Sequence, residues 1–311
     1  MARKVIHNYK QKVLVILGPT GSGKTALGVA LAKTLGGEII SADSRQVYKG
    51  LDVGSGKDLA AYGRGSSRVR HHLIDVADPS KDFNLAKYQR AANKAIVDIL
   101  QRKRLPIVVG GSGLYLQAVV DGYDLPKGGV KNSRRAELTG LSAREMWEKI
   151  NKVKPDFAER LNNSDRNNPR RLARYWEIII TGGEVGRKKQ EPKYDFCLLG
   201  LDWPDQELRA RIDYRILERL EQEGMVEEVK SLHDDGLSWE RLQSFGLEYK
   251  FVSRHLLGEI SYQEMIKQLS AASWRFAKRQ RTWFRRWERQ GAKISSVKDL
   301  DSALRAIKKW Q

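Results

Sequence analysis

Gly18, Pro19, Thr20, Gly21, Ser22, Gly23, Lys24 and Thr25 follow an apolar run at 13–17 and fit the spacing G-x-x-x-x-G-K-[ST]. Glycines at these places let backbone N–H groups turn inward on phosphate oxygens at the start of a helix. Lys24 adds a point charge, and the Thr25 hydroxyl is placed to ligate Mg2+. Most such loops hold a nucleoside triphosphate, but the same cradle suits a diphosphate about to leave a carbon atom.

Other residues offer chemistry with a structural alternative beside it. Asp43 ends the run "GEIIS-AD" and could ligate a metal or accept a proton, or it could cap a turn, since "ADS" is good turn chemistry. Ser112, in "GGSG", could donate to a phosphate oxygen or cap the helix after it. Arg211 and Arg215 lie four apart on one helix face, where they could reach a leaving diphosphate or face solvent. "RNNPRRLARYWEI" sets Arg170, Arg171 and Arg174 beside Tyr175 and Trp176. "WRFAKRQRTWFRRWER" interleaves Lys278, Arg279, Arg281, Arg285, Arg286 and Arg289 with Trp274, Phe276, Trp283, Phe284 and Trp287. Arginine beside aromatic rings suits unstacked bases and phosphates, although the same pattern describes a helix with an aromatic core face. His71 and His72 lack partners at metal-ligand spacing, so no metal is assigned to them.

The elements that must position these groups alternate. Strands are expected at 13–17, "GEIIS", "VRHHLIDV", "LPIVVGG" and "FCLLGLDW". Helices are expected after Gly23, after an Asn84 cap, over "GLYLQAVVDG", from Asp205 to His233, and from Ser261 to Arg289. The pattern predicts an α/β fold, a parallel sheet covered on both faces by helices. Residues 126–181 lose the strand signal and read as a small all-α insertion. It divides the core into a first part, 1–125, and a remainder, 182–311, with long basic C-terminal helices.

The 311 residues suffice for a large α/β domain and a smaller one, and carry 57 Lys plus Arg against 38 Asp plus Glu, a formal charge of +19. Such an excess points to a polyanionic partner, because each basic group set on a phosphate releases a condensed counterion. The lone Cys197 allows neither an intramolecular disulfide nor a cysteine-based zinc site. The start, "MARKVIHNYKQK", is basic without an apolar signal core, and no stretch approaches the ~18 apolar residues that span a bilayer. A cytoplasmic enzyme without membrane contact is expected.

The ordered blocks "GPTGSGKT", "ISADSRQVY", "HHLID", "LPIVVGGSGLYLQA", "NNPRRLARYWEI" and "AKRQRTWFR" resemble the tRNA dimethylallyltransferase (isopentenyltransferase) family over about 13–289, nearly the whole chain. The resemblance implies a P-loop nucleotide-kinase-like core and transfer of a dimethylallyl group from dimethylallyl diphosphate to the exocyclic amine of the adenosine 3′ of the anticodon in tRNA. It implies Asp43 as general base, with Lys24, Ser112 and Arg211 assisting the diphosphate held by residues 18–25, and Mg2+ as cofactor. It places tRNA against Asp43, Ser44, Arg45 and Gln46, against Arg170, Arg171, Leu172, Ala173 and Arg174 of the insertion, and against Arg279 and Gln280. A monomer without zinc is expected, since the zinc-finger tail of some relatives is missing. The chain departs from the family at "DVGSGKD" (52–58), at Ser112 in place of threonine, at "SFGLEYK" (244–250), where Leu247 and Glu248 follow Gly246, and in a shorter insertion.

Three rivals remain at this level. A small-molecule kinase would use Asp75 for Mg2+ and "RRLAR" as a basic lid. An RNA-binding ATPase would keep Asp43 and Ser112 for structure alone. A prenyltransferase could also act on free adenine nucleotides.

Overall fold

The structure, a computed structural model, describes residues 10–125, 138, 140–180 and 191–310. It divides into two compact units, one of Met1–Gly122 with Glu191–Gln311 and one of Tyr123–Gln190. Residues 126–137, 139 and 181 of the expected insertion lie outside the described residues.

The first unit begins with β1 (Lys12–Leu17), the glycine loop, α1 (Lys24–Leu35) and β2 (Gly37–Ser41). A long connection then reaches β3 (His71–His72), followed by α2 (Leu85–Gln101), β4 (Leu105–Gly110) and α3 (Gly113–Val120). Asn84 caps α2, its side chain accepting from the Lys87 N–H at 3.0 Å. The second unit contains α4 (Ala143–Val153), α5 (Pro155–Glu159), α6 (Asn163–Arg166) and α7 (Pro169–Ile180). A capping box joins Ser142 and Glu145 at the start of α4, and Met146, Ile150, Leu172 and Trp176 close a separate core. The chain re-enters the first unit through β5 (Asp195–Leu201), α8 (Asp205–Glu221), α9 (Met225–Asp234), α10 (Trp239–Ser244) and α11 (Leu247–Leu256). It ends with α12 (Tyr262–Arg289), β6 (Ile294–Val297) and α13 (Leu300–Trp310).

The six strands form one sheet in the order β3-β2-β4-β1-β5-β6, and every neighbouring pair is parallel. Strand alternation sorts its side chains. Val13, Val15 and Leu17 face a core shared with α2, α3 and the end of α12, while Leu14 and Ile16 face a core shared with α1 and α13. A third core joins α8 through α12 around Met225, Tyr249 and Leu269. Leu14, Ile16, Ile39 and Ile107 are fully buried, and truncating any one to alanine would cost about 2–5 kcal/mol. Among the described residues, no helix is long and apolar enough to cross a membrane.

Three sequence expectations are corrected. "VRHHLIDV" yields a strand of two residues, because Leu73 and Asp75 take positive φ (62° and 56°) and turn the chain out of extended geometry. The single helix expected from Asp205 to His233 breaks where Gly224, at φ 75° and ψ 39°, adopts the left-handed conformation. β6 and α13 add a sheet edge and a covering helix where no element was expected.

Candidate active site

The carboxyl ends of β1, β2 and β4 converge on a cavity open to solvent. Ligands of open parallel sheets collect at such edges, where helices begin and strands have spent their hydrogen bonds. The glycine loop forms one wall. Gly23 stands at φ 87°, a conformation glycine adopts without strain, and so starts α1 with its first N–H groups free. The loop's carbonyls are taken from outside: Lys24 Nζ donates to Pro19 O (3.2 Å), Arg211 Nε to Gly21 O (3.0 Å) and Trp203 Nε1 to Ser22 O (2.8 Å). The N–H groups of Gly21, Gly23, Lys24 and Thr25 donate to no acceptor among the described residues, which makes an anion cradle.

Lys24 is half-buried among like charges. Burial pushes its pKa down to about 8, Asp43 opposes that shift, and Arg215 and Arg219 add to it. Burial likewise lowers the Arg215 guanidinium, with Arg219 contributing. A bound diphosphate would compensate all three cations at once.

Asp43 shares the cavity wall with Lys24, Thr25, Ser112, Arg215, Arg219 and Glu248, and with the apolar groups of Val109, Leu247 and Phe276. Its Oδ1 accepts from the Arg45 N–H (2.8 Å) and the Gln46 N–H (3.4 Å), so the turn chemistry is real. That turn also fixes the carboxylate, leaving Oδ2 without a hydrogen bond among the described residues. Structure and chemistry are here two uses of one side chain.

The profile of the family described as IPP transferase matches residues 46–287. The chain belongs to that family. It is 44% identical over 286 residues to the tRNA dimethylallyltransferase 1 of Geotalea daltonii, covering 91% of this chain and 89% of the relative. Among solved structures it resembles the tRNA isopentenylpyrophosphate transferase of Bacillus halodurans, with TM-score 0.68 and 34% identity, covering 97% of this chain and 95% of the other. It also resembles a eukaryotic dimethylallyltransferase solved acting on tRNA, with TM-score 0.75 and 25% identity, covering 96% of this chain and 78% of the other.

Of the residues expected from the sequence, Thr20, Lys24, Thr25, Asp43, Ser44, Arg45, Gln46, Ser112 and Gln280 line the one cavity. Others are placed differently. Arg211 stacks on Trp203 (4.6 Å to the ring centroid) behind the loop, while Arg215 and Arg219, one and two turns further along α8, line the cavity. Gln280 is buried and bridges two glycine segments: its Oε1 accepts from the Thr20 N–H and its Nε2 donates to Gly111 O, both at 2.8 Å. Arg281 is corrected from a nucleic-acid candidate to a buried brace, paired with Asp202 (2.7 Å) and Asp205 (2.5 Å). In the second unit, Arg170 and Arg171 are exposed, Arg171 pairs with Asp165 (2.6 Å) and Arg174 with Glu177 (3.0 Å), and Ala173 is half-buried. Leu172 is corrected as a contact: its side chain is fully buried in that unit's core.

Sequence reasoning missed Arg219 and Glu248, and it left unassigned two departures from the family pattern. The structure brings both into the same wall. Gly54, Ser55 and Gly56 line the cavity from the first segment, and Leu247 and Glu248 line it from the second. Lys57 is buried and anchors the first segment to Tyr48 O (2.7 Å), Asp52 (2.6 Å) and Asp75 (2.5 Å). Glu228 anchors it again, accepting from the N–H groups of Asp52, Val53 and Gly54 at 3.0, 2.5 and 3.1 Å. The i, i+4 spacing of Arg211, Arg215 and Arg219 was the one available signal for Arg219.

Proposed function

We propose that this chain transfers the dimethylallyl group of dimethylallyl diphosphate to the exocyclic amine of the adenosine 3′ of the anticodon in tRNA, releasing diphosphate. The observation that carries the reading is one cavity holding both an anion cradle with Lys24 and the fixed carboxylate of Asp43. In this reaction the C–O bond to the diphosphate breaks, the N–C bond to the adenine amine forms, and an amine proton leaves for Asp43. The leaving oxygen gains negative charge as the bond breaks. Loop N–H groups, Lys24, Arg215 and Arg219 stabilise that charge without reorganising, because the fold already holds them there. The amine lone pair is delocalised into the ring, so proton removal during attack contributes, typically about 10²–10⁴-fold. The target base leaves its stack to reach the cavity.

The donor set fits Mg2+ in shared ligation. The Thr25 hydroxyl lines the cavity, and Mg2+ typically takes one or two protein oxygens together with substrate phosphates and waters. Bound there by Thr25 and the diphosphate, it would neutralise leaving-group charge. The rival kinase reading weakens, because its acid, Asp75, is engaged by Lys57 and is absent from the cavity lining.

On the outer face of α12, Lys278, Arg279, Arg285, Arg286 and Arg289 are exposed while Ala277, Phe284 and Trp287 are buried. Lys278 stacks over Trp274 and Arg286 over Trp283 (5.6 and 5.8 Å to the ring centroids). This face supports a polyanionic acceptor rather than a free nucleotide.

The test is transfer of radiolabel from dimethylallyl diphosphate to bulk unmodified tRNA with Mg2+, beside Asp43→Ala, with ATP and AMP as competing acceptors. Label enters tRNA, and Asp43→Ala reduces the rate by at least about 10²-fold. Label in ATP or AMP, or ATP hydrolysis without transfer, would overturn the reading.

A further inference from the structure

Glu248 sits where two arginines from different parts of the chain meet. Its Oε2 accepts from Arg45 Nη1 at 2.9 Å and its Oε1 from Arg219 Nη1 at 3.4 Å. The carboxylate and the Arg219 side chain are both under a tenth exposed. Each arginine is tied to a different half of the chemistry. Arg45 donates its backbone N–H to Asp43, and its guanidinium lies over Phe276, 5.6 Å from the ring centroid. Arg219 lies beside Arg215 and Lys24 on the phosphate side, and Gly56, at φ 67°, leaves the space its guanidinium fills. The chain reaches this arrangement through local strain. Gly246 and Leu247 both take positive φ (78° and 37°), which sets Glu248 in the first turn of α11, facing the cavity.

Among the charges lining the cavity, Asp43 and Glu248 are the acids against Lys24, Arg45, Arg215 and Arg219. Asp43 is assigned to the acceptor, so Glu248 is the second acid. A carboxylate so near a diphosphate site weakens anion binding by repulsion and by competing for Arg219. Its retention in the wall must be compensated by something it holds in place.

Resting on the prenyl-transfer reading above, we propose that Glu248 is a positioning residue that fixes Arg45, and through it the Asp43 turn, against Arg219, so that base and diphosphate clamp are set relative to each other before substrates enter. Donor affinity is traded for alignment of the two reacting ends. A one-ångström displacement of a reacting group lowers rates by about 10²-fold, so alignment outweighs the lost affinity.

The experiment compares wild type with Glu248→Gln and Glu248→Asp in binding of inorganic pyrophosphate by calorimetry with Mg2+, in donor KM and kcat, and in thermal melting. Removing the charge relieves repulsion, so Glu248→Gln binds pyrophosphate roughly ten-fold tighter, while kcat falls by about the same factor or more. Glu248→Asp keeps the charge and loses the reach, so its pyrophosphate affinity stays near wild type and kcat still falls. A residue serving only the fold would lower melting temperature and weaken pyrophosphate binding together. Weaker pyrophosphate binding in Glu248→Gln, or unchanged kcat in both variants, overturns the proposal. If Glu248→Gln does not fold, Glu248→Asp decides alone, and wild-type kcat in it is the overturning result. Pyrophosphate binding is read without any acceptor, so failure of the prenyl-transfer reading shows instead as a wild type that transfers nothing to tRNA.

Discussion

Under the proposed function, Lys24 carries the charge on which donor binding turns, and its burial makes that charge titratable. With its pKa at about 8 in the free protein, the ammonium is present at pH 7 and largely lost by pH 9. A bound diphosphate favours the charged form and raises that pKa, so binding takes up a proton once pH exceeds about 8. Affinity is then flat below that point and falls up to about ten-fold per pH unit above it. Tyr62, which also lines the cavity, is pushed well up by burial and stays out of this window. The folded-state sign is the same: the depressed pKa is a cost of folding present below pH 8 and relieved toward the ordinary lysine value. Pyrophosphate calorimetry from pH 7 to 9.5 checks this, with Lys24→Met expected to bind weakly and without the break. A break that survives in Lys24→Met would assign it to another group. The places of Lys24, Asp43 and Ser112 at the cavity were legible in the sequence because glycine loops and turns at strand ends are local patterns, although the Ser112 side chain makes no cap bond to α3. Arg219 and Glu248 were not, since they meet 29 residues apart only where α8 approaches the first turn of α11.

At the scale of elements, α12 is the piece whose reading changed most. Its aromatic-arginine periodicity fits both a core helix and a nucleic-acid helix, and the structure buries one face while leaving Lys278, Arg279, Arg285, Arg286 and Arg289 exposed on the other. The buried face does more than fill space. Gln280 satisfies the Thr20 N–H of the glycine loop and the Gly111 carbonyl of the β4–α3 turn, so one side chain spaces the two phosphate-facing segments. Gln280→Ala leaves both groups without their partner, at a cost of about 1–3 kcal/mol for each buried group. We expect a lower melting temperature together with a raised donor KM, measured by scanning calorimetry and initial rates. A melting loss with unchanged KM would reduce Gln280 to a stability role. The sheet's central strands were readable because apolar runs bounded by glycine leave few alternatives. β6, "ISSV", has two exposed serines between its only apolar residues, and a strand at the sheet edge needs no stronger pattern. β3 was overread because the chain bends at Leu73 and Asp75, where Asp75 pairs with Lys57, a contact no local rule supplies.

Across the whole molecule the deciding quantity is the charge of +19, most of which the cavity does not use. Four cations line the cavity, and Glu38 draws Arg102 (2.8 Å) and His72 (2.8 Å) into a cluster at the start of β2. The outer face of α12 keeps Lys278, Arg279, Arg285, Arg286 and Arg289 exposed, away from the acids that neutralise Arg281. Under the proposed function, such a face would contribute affinity through counterion release, steep in salt and indifferent to sequence, and the cavity would select the target base. The two contributions are separable. Lys278→Ala, Arg285→Ala and Arg286→Ala combined should weaken tRNA binding and reduce the slope of log affinity against log salt by about one per residue removed. Pyrophosphate affinity should not change, because none of the three lines the cavity. Filter binding of tRNA at several salt concentrations, beside pyrophosphate calorimetry, measures both. An unchanged salt slope would move the acceptor surface off α12, and a changed pyrophosphate affinity would mean that this helix tunes the donor site through Gln280 rather than holding the acceptor.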